Sequence, residues 1–201
     1  MYLLSIKNNP PTFIVFCLLM SILQSCKNIP SILPKSEPVI FDQVDVTGSD
    51  QKIVMKYDSL GNKIIEGTVL NGKKNGAWFQ YSPGGAILNI INYIDDKKNG
   101  PFVKIGLDNK LETQASYKDD VLEGLYTHYI FGSLDEQIEY KRGKKNGWAK
   151  KYYMRGGVER ASEMKDDVQD GIYRFYREDG TIMVEEKFKD GKKVSGGIFK
   201  Q

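Results

Sequence analysis

Three pairs of adjacent acidic residues are the most obvious candidates for chemistry in this sequence: Asp95–Asp96, Asp119–Asp120 and Asp166–Asp167. Carboxylate oxygens are the ligands that Ca²⁺ prefers, but a calcium site supplies about six to eight oxygens from defined positions. Each pair here is accompanied by Lys-Lys or by a single further acid. We therefore expect turns at these positions, and we predict neither a metal site nor a cofactor.

The sequence has one histidine, His128, which alternates with Tyr129 in a segment of strand-like character. A catalytic or metal site needs further members, and no cysteine, second histidine or serine-containing motif lies nearby. We expect His128 to be a partly exposed surface residue. Since the repeats described below take up most of the chain, the sequence predicts a protein that is not an enzyme.

Aromatic residues form a second candidate site, a binding surface. Two interpretations stay open: the rings cover one another in a curved sheet, or a row of them stays exposed, as apolar patches at partner sites do. Base stacking would be a third use, but the net charge of +3 comes from lysines scattered beside acidic residues. We therefore predict no nucleic-acid partner. The candidate residues are Trp78, Phe102, Tyr126, Trp148, Tyr173 and Phe175.

Residues 1–25 have the layout of a signal peptide, with Lys7 ahead of the apolar run TFIVFCLLMSIL. That run is shorter than the roughly 20 residues that span a bilayer. The four residues at 23–26, LQSC, resemble the bacterial lipobox, which implies that Cys26 becomes the lipid-bearing first residue of the mature chain. The alternative is an ordinary signal peptide with an incidental cysteine.

Residues 26–51 contain Pro30, Pro34 and Pro38, which favour extended backbone without a full set of hydrogen bonds. This segment is predicted to be a tether between the lipid and a folded domain. An irregular edge strand over residues 39–46 is the alternative.

From residue 52 to 201 the chain repeats itself with a period of about 24 residues. Glycines mark the period, at intervals of 24, 24, 23 and 24 residues: Gly76, Gly100, Gly124, Gly147 and Gly171. Repetition at such a period indicates stacked copies of one supersecondary unit. The single short interval predicts a one-residue deletion in the turn near Gly132.

Within each repeat, apolar residues recur at even spacing and the residues between them are mostly polar. Ile182 and Phe188 lie six positions apart, for example, with Glu185 and Lys187 between them. Such alternation indicates strands with one buried face, so each repeat is predicted to be a β-hairpin. The tetrad Lys-Lys-Asn-Gly, at 73–76, 97–100 and 144–147, is predicted to be the connector between successive hairpins.

The repeat resembles the bacterial variant of the MORN repeat, in motifs such as REDG at 177–180 followed by TIMVEEKFKDGK at 181–192. The resemblance extends over residues 52–201. It implies an all-β fold, an elongated, twisted, single-layer antiparallel sheet of tandem β-hairpins. Proteins with this repeat are often labelled antitoxin components of the YwqK type.

Together these features predict a lipid-anchored protein of the bacterial cell envelope. The repeats would act as a non-catalytic scaffold for another protein or an envelope polymer, and the membrane would be reached through the lipid on Cys26. In enteric-type sorting, an aspartate after the lipidated cysteine retains the protein in the inner membrane. Lys27 occupies that place, so by analogy the sequence favours the outer membrane in a bacterium that has one. The alternative function is an antitoxin-like protein that neutralises a partner toxin.

Overall fold

The computed structural model describes residues 42–46 and 48–199, so the leader, Cys26 and the first part of the predicted tether lie outside the described residues. Every regular element in the described ranges is a β-strand. The strands are β1 (Asp42–Asp45), β2 (Gln51–Tyr57), β3 (Lys63–Leu70), β4 (Lys73–Lys74), β5 (Gly76–Tyr81), β6 (Ile87–Ile94), β7 (Lys97–Ile105), β8 (Leu111–Lys118), β9 (Val121–Leu122), β10 (Gly124–Ile130), β11 (Ser133–Lys141), β12 (Lys144–Tyr152), β13 (Val158–Lys165), β14 (Val168–Tyr176), β15 (Ile182–Lys189) and β16 (Lys192–Ile198).

These strands form one open 16-stranded antiparallel sheet in which each strand lies beside its neighbour in sequence. The short strands β4 and β9 pair with β3 and β8 and lie just ahead of β5 and β10. The predicted all-β class and the tandem hairpins in a single sheet are confirmed. β1 pairs with β2, so residues 42–45 form an edge strand of this sheet, within the range 39–46 where an edge strand is the alternative to a tether.

Two kinds of turn alternate along the chain and lie at opposite ends of the strands. One end, here called the short-turn edge, has two-residue turns in which both residues have positive φ, the type I′ geometry that matches strand twist. They are Asn71–Gly72, Asp95–Asp96, Asp119–Asp120, Arg142–Gly143, Asp166–Asp167 and Asp190–Gly191.

The other end, here called the long-turn edge, has turns that close with a backbone hydrogen bond over a longer loop, as from Ser82 N–H to the Ala86 carbonyl. One turn at this edge is shorter. Tyr129 pairs with Leu134, whereas the corresponding Tyr81 pairs with Ile87. The predicted one-residue deletion near Gly132 is therefore confirmed.

The prediction that Lys-Lys-Asn-Gly connects the hairpins is wrong. The tetrad begins strands β7 and β12, and in its first copy Lys73–Lys74 is a strand of its own. The connector is the pair of residues before the tetrad, because those residues adopt the two successive positive φ angles that a type I′ turn requires. The glycine that ends the tetrad lies in a bulge: Gly100 has a φ of 101°, where the pairing of β6 with β7 shifts register.

Residues paired across neighbouring strands share a face of the sheet. Trp78, Ile91, Phe102 and Ala115 are paired in this way, and their side of the sheet is here called the aromatic face. The opposite side, which carries Phe79, is here called the tyrosine face. Both faces contain buried residues: Trp78, Ala115 and Ile138 on the aromatic face, and Thr127 and Ala161 on the tyrosine face.

Candidate functional site

The aromatic residues predicted to bind a partner pack largely against one another. Trp78 is only 5% exposed, and its indole N–H donates to the Thr68 carbonyl at 3.0 Å. An edge-to-face ring pair recurs from repeat to repeat at this position, an arrangement that aromatic rings favour. The pairs, with their centroid distances, are Trp78–Tyr93 (6.0 Å), Phe102–Tyr117 (5.9 Å), Tyr126–Tyr140 (6.1 Å) and Tyr173–Phe188 (6.3 Å).

Lysines from the tetrad lie over several of these rings. Lys74 Nζ lies 4.6 Å from the Trp78 ring centroid and 4.9 Å from that of Tyr93. Lys98 Nζ lies 5.1 Å from the Tyr117 centroid. A cation over a ring face is attracted by the ring quadrupole, so the second lysine of the tetrad contributes to packing on the aromatic face.

The six candidate residues do not form a single row. Ala149 occupies the position that an aromatic residue holds in the other repeats, and the neighbouring Trp148, opposite Glu163, lies on the tyrosine face. Phe175, opposite Val184, lies on the aromatic face with the other four. A binding role for the five half-buried rings stays a prediction, while Trp78 leaves little surface for a partner.

The repeat-marking glycines have a steric role as well as a conformational one. All five have positive φ. A Cβ at Gly147 would overlap the Glu139 carboxylate, and one at Gly171 would overlap that of Glu163. Glu163 Oε2 also accepts the N–H of Ile172 at 2.8 Å, so Gly171 admits an acidic side chain that satisfies the bulged backbone.

The second aspartate of each acidic pair forms hydrogen bonds with the backbone of an earlier strand at the short-turn edge. Carboxylate Oδ1 of the second aspartate accepts a backbone N–H from 22 residues earlier, at 2.8 Å in each of three pairs: Lys74 to Asp96, Lys98 to Asp120 and Lys145 to Asp167. The aspartate N–H returns a hydrogen bond to the carbonyl of the same lysine. Among the described residues, no group of three or more His, Cys, Asp or Glu side chains is arranged to hold a metal ion.

His128 belongs to a polar cluster on the aromatic face. Its Nδ1 lies 3.1 Å from Asp135 Oδ2, and Lys151 Nζ lies 2.6 Å from Asp135 Oδ1. Asp135 is 8% exposed. Burial alone would raise the pKa of its carboxyl group, but hydrogen bonds from Lys151 and His128 hold that pKa below its ordinary value. His128 is half-buried, close to the partly exposed position predicted, and its hydrogen-bond partner Asp135 was not predicted.

On the tyrosine face, tyrosine hydroxyl groups form hydrogen bonds between neighbouring strands. Tyr81 donates its hydroxyl to Glu66 at 3.0 Å, Tyr129 to Gln114 at 3.3 Å and Tyr152 to Gln137 at 2.6 Å. In each case the acceptor lies 15 residues earlier in the chain. The hydroxyl groups therefore link one repeat to the preceding one.

The long-turn edge exposes a set of apolar side chains that sequence reasoning missed. The set, here called the apolar tips, consists of Leu60 (84% exposed), Leu107 (87%), Phe131 (77%) and Met154 (61%). Leu107 and Phe131 line the same shallow cavity of about 420 Å³, and Lys110 Nζ bridges to the Phe131 carbonyl at 3.2 Å. The available signal was an apolar residue inside a turn motif, as in DSLGN at 58–62.

No protein-family profile matches the chain, and no curated protein matches it. In the described part of the chain there is no helix of the length and apolar character that a membrane span requires.

Proposed function

We propose that the chain is a lipid-anchored protein of the bacterial cell envelope whose repeats form a non-catalytic scaffold for protein–protein or cell-surface interaction. The row of apolar tips is the observation that carries the scaffold role. Large apolar side chains at this degree of exposure occur in four of the six described turns at this edge of the sheet, and the turns after β5 and β14 carry none. Surfaces of this kind mark contacts with other molecules.

The internal hydrogen bonds support the same proposal. Turn aspartates, face tyrosines and the His128–Asp135–Lys151 cluster are engaged with other parts of the sheet. These links join several pairs of neighbouring strands, and they favour a stiff surface over a mobile one. A rigid scaffold presents its contact residues at low entropic cost, which favours binding.

The anchor is tested by metabolic labelling with an alkyne fatty acid, comparing the native chain with Cys26→Ala, followed by membrane fractionation. We expect the label to disappear in Cys26→Ala. We also expect the native protein in the outer membrane, because Lys27 is not the acidic residue that retains lipoproteins in the inner membrane. An unlabelled protein in the cytoplasmic fraction would overturn the anchor. That result would favour the antitoxin-like function, which rests on the repeat resemblance.

The contact surface is tested with the Cys26→Ala chain, so that the lipid makes no contribution to binding. Leu60, Leu107 and Met154 are changed together to serine, and co-sedimentation with isolated envelopes is compared with that of the parent. The matched control changes Val121 and Val168 to serine, since both are exposed near the short-turn edge (40% and 44%). Loss of binding in the first variant alone supports the proposal, and equal binding by all three chains contradicts it.

A further inference from the structure

Strand β16 has one paired side. It pairs with β15 through the register Val184–Ile198 to Lys189–Lys192, and in the described ranges no strand pairs with its other side. The Phe199 N–H donates to the Met183 carbonyl at 2.9 Å. Because hydrogen-bonding direction alternates along an antiparallel strand, the N–H and carbonyl groups of Ile198 point away from β15, and the nearby Gly196 has an irregular backbone with a φ of 98°. The Ile198 groups are available to a further strand.

Natural edge strands are protected by charges, proline, very short length or β-bulges. The pairing of β16 with β15 has a bulge between Lys187 and Phe188, but the second half of β16 has neither of the two chemical features, charge and proline. From residue 194 to 199 the sequence VSGGIF has no charge and no proline. Val194, Ile198 and Phe199 are 56%, 70% and 53% exposed. This is an apolar strand with free hydrogen-bonding groups along its outer side.

We infer that β16 pairs with β16 of a second copy of this chain, antiparallel and about a two-fold axis. Charge favours this occupant. Antiparallel self-pairing sets the lysine-bearing start of one strand against the uncharged end of the other, so Lys192 and Lys193 of the two copies are kept apart. Their aliphatic stems then lie near Ile198 and Phe199 of the other copy, as lysine stems commonly cover apolar surface.

The other edge strand fits β16 less well. β1 has four residues against seven in β16, so it would leave part of the exposed apolar segment uncovered. Two copies of β1 would bring Asp42 and Asp45 of different chains together, and like charges facing each other across strands are destabilising. Strand length therefore favours two-fold pairing of β16 with β16, which covers the whole exposed apolar segment. This pairing does not depend on the lipid anchor.

Cysteine cross-linking of the full chain, purified in detergent, tests the geometry. Ser195→Cys places a thiol near the middle of β16, and Ser59→Cys is the control in an exposed turn of the long-turn edge. Under mild oxidation, Ser195→Cys is expected to form a disulfide-linked dimer well beyond the levels of Ser59→Cys and the parent chain. Cross-linking of Ser195→Cys at the level of Ser59→Cys would overturn the inference.

Sedimentation of the full chain provides a second, independent test. The parent is expected to show a concentration-dependent mass of two chains, and Ile198→Lys the mass of one chain, with unchanged circular dichroism because Ile198 is 70% exposed. Ile94→Lys, at 52% exposure and outside the apolar tips, is the control that should remain dimeric. A parent that stays monomeric, or one that forms a series of oligomers beyond the dimer, would contradict two-fold pairing through β16.

Discussion

Carboxylate Oδ1 of Asp120 accepts a hydrogen bond of 2.8 Å from the backbone N–H of Lys98, 22 residues earlier. The Asp120 N–H donates in return to the Lys98 carbonyl at 2.9 Å. The two bonds close the open end of the β7–β8 hairpin. The same two hydrogen bonds recur at Asp96 and Asp167. Each of these turn aspartates therefore joins its turn to a strand residue that lies 22 positions earlier in the chain.

Asp120→Ala is expected to destabilise the repeat domain by about 1 kcal/mol more than Asp119→Ala, because hydrogen bonds to charged groups contribute roughly that much or more. Asp119 is the matched control. It has positive φ in the same turn, 51° against 67° for Asp120, but does not receive the Lys98 bond. Urea unfolding of both variants measures the difference. An equal loss of stability in both variants would mean that the effect comes from turn conformation and not from the hydrogen bond between Lys98 and Asp120.

Gly67→Ala is expected to destabilise the sheet by about 1–3 kcal/mol, the usual cost of forcing extra volume into a packed site. A Cβ at Gly67 would overlap the indole of Trp78, which is 5% exposed. Gly84→Ala is the control, since its Cβ would meet only Ser82 Oγ at 3.8 Å. The free energy of unfolding should be nearly unchanged in the control, and a similar loss in both variants would argue against the packing explanation.

The repeat period and the hairpins could be predicted because alternation and turn residues are local signals. The deletion near Gly132 was also visible, as one interval of 23 residues among intervals of 24. The role of Lys-Lys-Asn-Gly could not be assigned in this way, because lysine is compatible with either a turn tip or an exposed strand. The two positive φ angles at Asp95–Asp96 decide it.

The contacts between repeats were beyond reach of the sequence. Asp135 lies next to a register shift between β10 and β11, and the bulge there sets which side chain faces His128. Trp148 shows the same limit: one position of offset from the other aromatic residues moves it to the opposite face, because side chains alternate along a strand. Bulge position and curvature depend on all neighbouring strands together.

Phe131→Asn is expected to stabilise the domain by about 1 kcal/mol, even though it removes a large apolar side chain. Phe131 has a φ of 52° in its two-residue turn and is 77% exposed. A bulky residue in the left-handed region is strained, whereas asparagine tolerates it. Thermal unfolding of Phe131→Asn and of Leu107→Asn, the control with an exposed turn leucine, measures the gain. A gain of equal size in Leu107→Asn would show that loss of apolar exposure, not relief of strain, is responsible.

Asp135 is expected to make the domain sensitive to acid. The hydrogen bonds from Lys151 and His128 lower the pKa of its carboxyl group in the folded chain, so the folded state favours the ionised form more than the unfolded state does. Its contribution is therefore complete above the unfolded carboxyl pKa of about 4. The contribution is lost as pH falls through the lower pKa of the folded state.

Asp135→Asn should consequently reduce stability at pH 7 by about 1–3 kcal/mol, since it leaves Lys151 without its carboxylate. The difference from the native chain should shrink as the pH is lowered below 4, because protonation removes the same charge from the native protein. Urea unfolding at pH 7, 5, 4 and 3 measures this convergence, with Glu136→Gln as the control on the same strand. A difference that stays constant over this range would mean that Asp135 acts through its shape in the bulge, since an electrostatic contribution must follow its protonation.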